Sequence, residues 1–239
     1  MQEIISSSNI YMKYKNKDKE FTLKNVSFNV SKGEFHAFIG ENGAGKSTTI
    51  KIMAGLNNDF DGNLLINGLN VKTDVKARSK LCYIPDKTSF PLNISSYDFL
   101  YQLALLVRDD KEQIKIELDE WIKKLSLESE IKRNPNKLSS GQVKKILLIR
   151  AALEKSEIII LDEPAAFLDP TSRLQFFELL KELNNQGVTI FISSHILDEI
   201  KKYIDSVTFI KQGEIKWSGK IEGKDLIKKY KEIIIDNEF

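Results

Sequence analysis

The chain has 239 residues, 41% of them hydrophobic and 29% charged, a composition that excludes disordered and fibrous proteins and leaves room for one large core. Its 36 basic and 34 acidic side chains leave a net charge of +2, so no general nucleic-acid or membrane-surface binder is expected. Cys82 is the single cysteine, which excludes an internal disulfide and fits a reducing compartment.

Short apolar strands alternate with helical stretches along the chain, the pattern of an α/β layer fold. Phe35–Ile39 reads as a buried strand that runs at once into a glycine-rich turn and a helix over Ser47–Ala54. Leu64–Ile66 followed by Asn67-Gly68 predicts a strand and a hairpin turn. From Ser96 to about Ser126 the period turns helical, with Ile114, Leu118, Trp121, Ile122 and Leu125 on one stripe. Buried strands return at Ile158–Leu161 and Thr189–Ser193, separated by a helix carrying Leu174, Phe177 and Leu180. Val207–Ile210 and Glu214–Trp217 flank Lys211-Gln212-Gly213, a second predicted hairpin. His36 falls inside a buried strand and reads as structural; Cys82 reads as a small hydrophobe. No apolar run approaches the roughly 20 residues of a membrane helix, and the Met1-Gln2-Glu3-Ile4 start has no signal-peptide character. A cytoplasmic chain is expected, touching a membrane only through a partner.

Two constellations carry chemistry. Gly40-Glu41-Asn42-Gly43-Ala44-Gly45-Lys46-Ser47 matches the phosphate-loop pattern, between a strand and a helix as that pattern requires. Its glycines let successive N–H groups and the helix N-terminus face an anion. Lys46 is expected on the β- and γ-phosphates and Ser47 on Mg²⁺, with Thr48 completing the nucleotide-binding run. The second constellation is Ile158-Ile159-Ile160-Leu161-Asp162-Glu163, a buried strand that delivers two carboxylates at its C-terminal end. Asp162 fits the Mg²⁺-side acid and Glu163 the base that orients the attacking water.

Leu138-Ser139-Ser140-Gly141-Gln142 resembles the LSGGQ signature of the ATP-binding cassette (ABC) family. The resemblance continues through Asp162-Glu163-Pro164, through Leu168-Asp169-Pro170, similar to the family's D-loop, and through Ser193-Ser194-His195, similar to its switch histidine. It spans roughly residues 4 to 218. It implies a RecA-like α/β core with an antiparallel β edge and a helical subdomain inserted at about 90–150, all within a single domain over 1–239. It further implies that Tyr14 stacks on adenine, that His195 contacts the γ-phosphate, and that Ser139, Ser140, Gly141 and Gln142 face the nucleotide of an opposite subunit. ATP and Mg²⁺ are the implied cofactors. The implied partners are a second cassette, as homodimer or heterodimer, and a membrane-spanning transporter subunit.

The sequence departs from the family pattern at three positions. Ser140 stands where glycine is usual, which is costly only if φ there is positive. Asp86 replaces the Q-loop glutamine and is expected to join Ser47 and Asp162 in the Mg²⁺ shell. Phe167 replaces a small residue, and nothing in the sequence accounts for it. The Tyr83-Ile84-Pro85-Asp86 stretch and the lack of a long C-terminal extension look more like exporter cassettes for drugs, peptides or lipids than like sugar importers. Two rival readings are a soluble assembly ATPase, as in iron–sulfur cluster biogenesis, and a chromosome- or ribosome-acting one. The short interval between Lys46 and Leu138 leaves no room for the coiled coil of a chromosome ATPase. Phe90 and Leu92 either pack under the inserted helices or line a groove that grips a helix of the membrane subunit.

Overall fold

In a computed structural model the chain is described over residues 2–14, 22–166, 168–221 and 225–235, so Phe167 lies outside the described residues. The chain folds as a mixed α/β protein on two sheets. One is antiparallel, in the order β2 (Leu23–Ser31), β1 (Glu3–Met12), β4 (Asp61–Ile66), β5 (Leu69–Asn70). The other runs β10 (Glu214–Lys220), β9 (Ser206–Lys211), β3 (Phe35–Ile39), β8 (Thr189–Ser194), β7 (Ile158–Leu161), β6 (Leu81–Ile84). From β9 to β6 neighbouring strands are parallel, and β10 closes the edge as an antiparallel hairpin with β9.

The continuous apolar runs follow from burial on both faces of the parallel sheet. Phe35, Ala37 and Ile39 of β3, Ile159 and Leu161 of β7, and Ile190 and Ile192 of β8 share one core with Phe177 and Leu180. The alternate residues Phe38, Ile158, Ile160 and Phe191 face the other way, into a core with Val26, Phe28, Val30 and Ile50 from the antiparallel sheet and α1 (Lys46–Met53). Strand parity therefore sorts one set of side chains into two cores.

Both predicted hairpins form, β4–β5 around Asn67 and Gly68 and β9–β10 around Gln212 and Gly213, all four in the left-handed region. The predicted helix over 96–126 is two helices, α2 (Ser96–Leu105) and α3 (Lys111–Lys124). Arg108 holds the break open: its guanidinium pairs with Asp110 and Glu117 and donates to the Leu153 carbonyl. Hydrogen bonds from Arg108 first, then Lys155 and Gln113, hold the Glu117 carboxyl down at about 2, against burial. Of the predicted stripe, Ile114, Leu118, Ile122 and Leu125 are buried, in a third core shared with Leu100, Ile146 and Ile149. Leu174 of α5 (Pro170–Asn185) is half exposed, unlike Phe177 and Leu180 on the same helix.

β1 is not evident in the sequence because Ser6-Ser7-Ser8-Asn9 interrupts its alternation. The backbone accommodates that run by a register shift after Ser7 and a left-handed Asn9. Phe90 settles in the core, edge-on to Phe99 at 5.1 Å, whereas Leu92 beside it is 81% exposed. The groove reading therefore fails for Phe90, whose ring is already enclosed. Phe90→Ala should destabilise the free chain by about 3 kcal/mol, which chemical denaturation will measure.

His36 is buried and fully bonded, with Nδ1 2.8 Å from Ser206 Oγ and Nε2 3.0 Å from Thr208 Oγ1. Ser206 donates its proton to Glu34, so it can only accept from His36; Nδ1 therefore carries the ring proton and Nε2 accepts from Thr208. Burial pushes the imidazole down to about 4, with the Glu34 charge pulling weakly the other way. Burial alone would raise Glu34, but hydrogen bonds from Ser31 and Ser206 hold it below its ordinary value. Both groups take up protons more readily in the unfolded chain. Stability should therefore fall as pH drops from about 6.5 towards 4, by about 2–3 kcal/mol from His36 alone. Urea melts of the parent and of His36→Gln at the two ends of that window should show the slope reduced in the variant.

Candidate nucleotide site

The site assembles at the C-terminal edge of the parallel sheet, where open α/β sheets gather their ligands. β3 ends at Ile39 and the chain turns through Gly40–Gly45 into α1. Gly43 and Gly45 take φ of 84° and 111°, conformations that L side chains rarely adopt. A Cβ on Gly40 would stand 2.2 Å from the Ile210 carbonyl, and one on Gly45 would stand 2.7 Å from Leu23. The loop is thus clamped between β9 and β2 by glycines alone. Gly45 caps α1 without a side-chain hydrogen bond and the first turn holds no acid, which leaves N–H groups aimed outward for an anion. Glu41, Asn42 and Gly43 form the exposed rim, while Ala44 is buried and its carbonyl accepts from Gly213.

Lys46 is buried at 5% exposure, and its ammonium donates to the carbonyls of Gly40 (2.6 Å) and Glu41 (3.1 Å). It also lies 3.1 Å from Glu163 Oε1 as an ion pair outside hydrogen-bond alignment. The other Glu163 oxygen meets His195 Nδ1 at 2.9 Å. Asp162 Oδ1 accepts from Ser47 Oγ at 3.0 Å and from Ser193 Oγ at 2.8 Å. Ser193 in turn accepts the Glu163 backbone N–H at 2.8 Å, and Glu163 itself has φ of 43°. Because β8 stands between β3 and β7, a hydroxyl at its end is placed to bridge them. Only its position before His195 could have singled Ser193 out in the sequence.

Lys46, Ser47, Asp162, Glu163 and His195 are therefore brought together. Tyr14 is half buried against the antiparallel-sheet core and reaches Thr48 Oγ1 at 3.5 Å, on the rim of the same site. Asp86 follows β6, and its Oδ1 is buried with no hydrogen-bond partner. Burial pushes the Tyr83 phenol up to about 12, with the charges of Asp162 and Asp86 adding to it, so both carboxylates lie within electrostatic reach of one ring. Ser47, Asp162 and Asp86 supply only hard oxygens, the donor type that suits Mg²⁺.

The signature residues stand apart from this group, at the start of α4 (Ser140–Leu153). Ser139 and Gln142 form a reciprocal capping box, 3.3 Å from Gln142 N to Ser139 Oγ and 3.0 Å from Ser139 N to Gln142 Oε1. Ser140 is outside the left-handed region, so its Cβ brings no backbone strain. A Cβ on Gly141 would come 3.1 Å from Ser172 Oγ, so glycine there lets α4 approach α5.

A glycine loop between a parallel strand and a helix, facing a carboxylate pair across the sheet edge, is the arrangement of phosphate-loop NTPases. The family pattern described as "ABC transporter" matches residues 23–166. A Mycoplasma pneumoniae protein assigned provisionally to the ABC transporter ATP-binding proteins is 41% identical over 203 residues, 84% of this chain and 62% of its own length. The energy-coupling factor transporter ATP-binding protein EcfA of Methanococcus maripaludis is 33% identical over 211 residues, 85% of this chain and 75% of its own. A solved ATP-binding subunit of an ABC transporter superposes with TM-score 0.84 at 28% identity, covering 96% of this chain and 94% of that one. The chain belongs to the ABC transporter family, among its ATP-binding cassettes, a class of ATPases. Lys46→Ala removes the ammonium that donates to the Gly40 and Glu41 carbonyls and should weaken ATP binding about tenfold or more, to be read by titration calorimetry.

Proposed function

We propose that this chain binds ATP with Mg²⁺ at the Gly40–Thr48 loop, hydrolyses it within a dimer, and powers transport through a separate membrane subunit. The observation that carries the reading is Glu163, held between Lys46 and His195 beside the Asp162–Ser47 hydrogen bond. In this reading the loop N–H groups and Lys46 hold the β- and γ-phosphates, and Tyr14 packs on the base. Ser47, Asp162 and Asp86 hold Mg²⁺, which when bound offsets charge developing on the phosphates. Glu163 accepts the proton of the attacking water, and His195, hydrogen-bonded to it, keeps the carboxylate aimed. The left-handed backbone at Glu163, tied to Ser193, fixes where that carboxylate can point.

Ser139, Ser140, Gly141 and Gln142 lie at the start of α4, where Ser139 and Gln142 cap the helix. That placement supports their meeting the nucleotide of a second cassette, identical or not, with the helices of about 90–150 carrying them there. Among the described residues no helix is long and apolar enough to cross a membrane; a membrane connection through a partner at the inner face rests on the family resemblance. Export through that partner rests on the resemblance of Tyr83-Ile84-Pro85-Asp86 to exporter cassettes.

Glu163→Gln keeps the shape and the His195 contact but cannot take a proton. Phosphate release should fall about 10²- to 10⁴-fold while ATP affinity holds, and ATP should then accumulate a dimer visible by size exclusion. A Gln variant turning over at the parent rate would remove Glu163 from the chemistry.

A further inference from the structure

α4 presents Leu147, Leu148 and Ala151 to the core under the parallel sheet. One turn earlier on the same stripe, spaced three and four residues from Leu147 and Leu148, stands Lys144, 5% exposed. An ammonium in an apolar stripe is costly unless it is partnered. Its partners are the carbonyls of Pro85 at 3.0 Å and Asp86 at 3.4 Å. On the same segment the Asp86 side chain has a buried Oδ1 with no hydrogen-bond partner. Burial pulls Lys144 below the ordinary lysine range, and the charges of Asp86 and Asp162 oppose that pull.

We propose that Lys144 is a positioning residue that pins the Asp86 segment to α4 and balances the negative charge Asp86 adds beside Asp162, so that the site accepts the phosphates of ATP. The inference rests on the ATP-binding reading above. A carboxylate on that segment, without a cation near it, repels the triphosphate, and the ammonium held by the segment's carbonyls sets its charge against it. The two residues thus act as one unit. The unit also joins α4, whose first turn carries Ser139–Gln142, to the segment that leaves β6 next to Asp162.

The full chain, Lys144→Met, Lys144→Arg, Asp86→Asn and the double variant Asp86→Asn/Lys144→Met are compared by calorimetric ATP titration in EDTA, alongside thermal melting. Lys144→Met should weaken metal-free ATP binding about tenfold, because Asp86 then stands unbalanced. Lys144→Arg, which keeps the charge, should stay within about threefold of the parent. Asp86→Asn should lower the melting temperature, and the double variant should recover both melting and ATP affinity to within about threefold of the parent. Lys144→Met that melts lower yet binds ATP like the parent makes Lys144 a packing residue and overturns the proposal. Additive losses in the double variant overturn it as well. A parent chain that binds no ATP in either EDTA or Mg²⁺ overturns the functional reading, and this inference with it.

Discussion

One oxygen, Oδ1 of Asp162, accepts two hydroxyls from two directions and so joins three elements of the fold. Ser47 reaches it from the first turn of α1 and Ser193 from the end of β8, while Asp162 itself caps β7. Asp162 is 4% exposed, so an unpaired carboxylate there would be costly, and the two hydroxyls satisfy it in place. The phosphate loop, the carboxylate pair and the histidine segment are thereby held in fixed relation by short hydrogen bonds at the sheet edge. Ser193 extends the same constraint to the Glu163 backbone, whose left-handed φ needs such support.

That junction is possible because the strands beneath it are parallel and in register. Ile39 pairs level with Ser194, and Leu161 pairs level with Ile192 and Ile84, so the chain leaves β3, β8, β7 and β6 along one edge. Both faces of those strands are buried, and the alternating side chains feed two cores that leave little freedom for register slip. The glycines of the loop serve the same edge. At Gly40 and Gly45 the backbone passes too close to Ile210 and Leu23 for any side chain.

The outer helices answer to different forces. α2 and α3 share with one face of α4 a small core of their own, while the other face of α4 packs under the sheet. α4 is apolar on two faces, and Lys144 is the charge set into one of them. An ion-pair network at Arg108, Asp110, Glu117 and Lys155 fixes where α2 stops and α3 begins. Much of it is only partly exposed, where such pairs hold geometry better than a single surface bridge does.

The candidate site residues were legible in the sequence wherever chemistry constrains neighbours along the chain. The phosphate loop needs its glycines and lysine in consecutive positions, so Gly40–Ser47 could be read directly, and the Ile158–Glu163 strand likewise carries its carboxylates at its own end. Continuous apolar runs located β3, β7 and β8, and turn residues located both hairpins, for the same local reason. Contacts between residues distant in sequence had no such signature. Nothing along the chain ties Ser193 to Asp162 or Lys144 to the Asp86 segment, and the sequence leaves Phe90 open between core and groove. The polar run in β1 hid a strand, and a continuous helical period hid the break at Arg108. Local spacing is written in covalent neighbours and survives in the sequence alone. Which buried charge meets which carboxylate, and which ring fills which space, is decided only when the sheet closes and removes water from both.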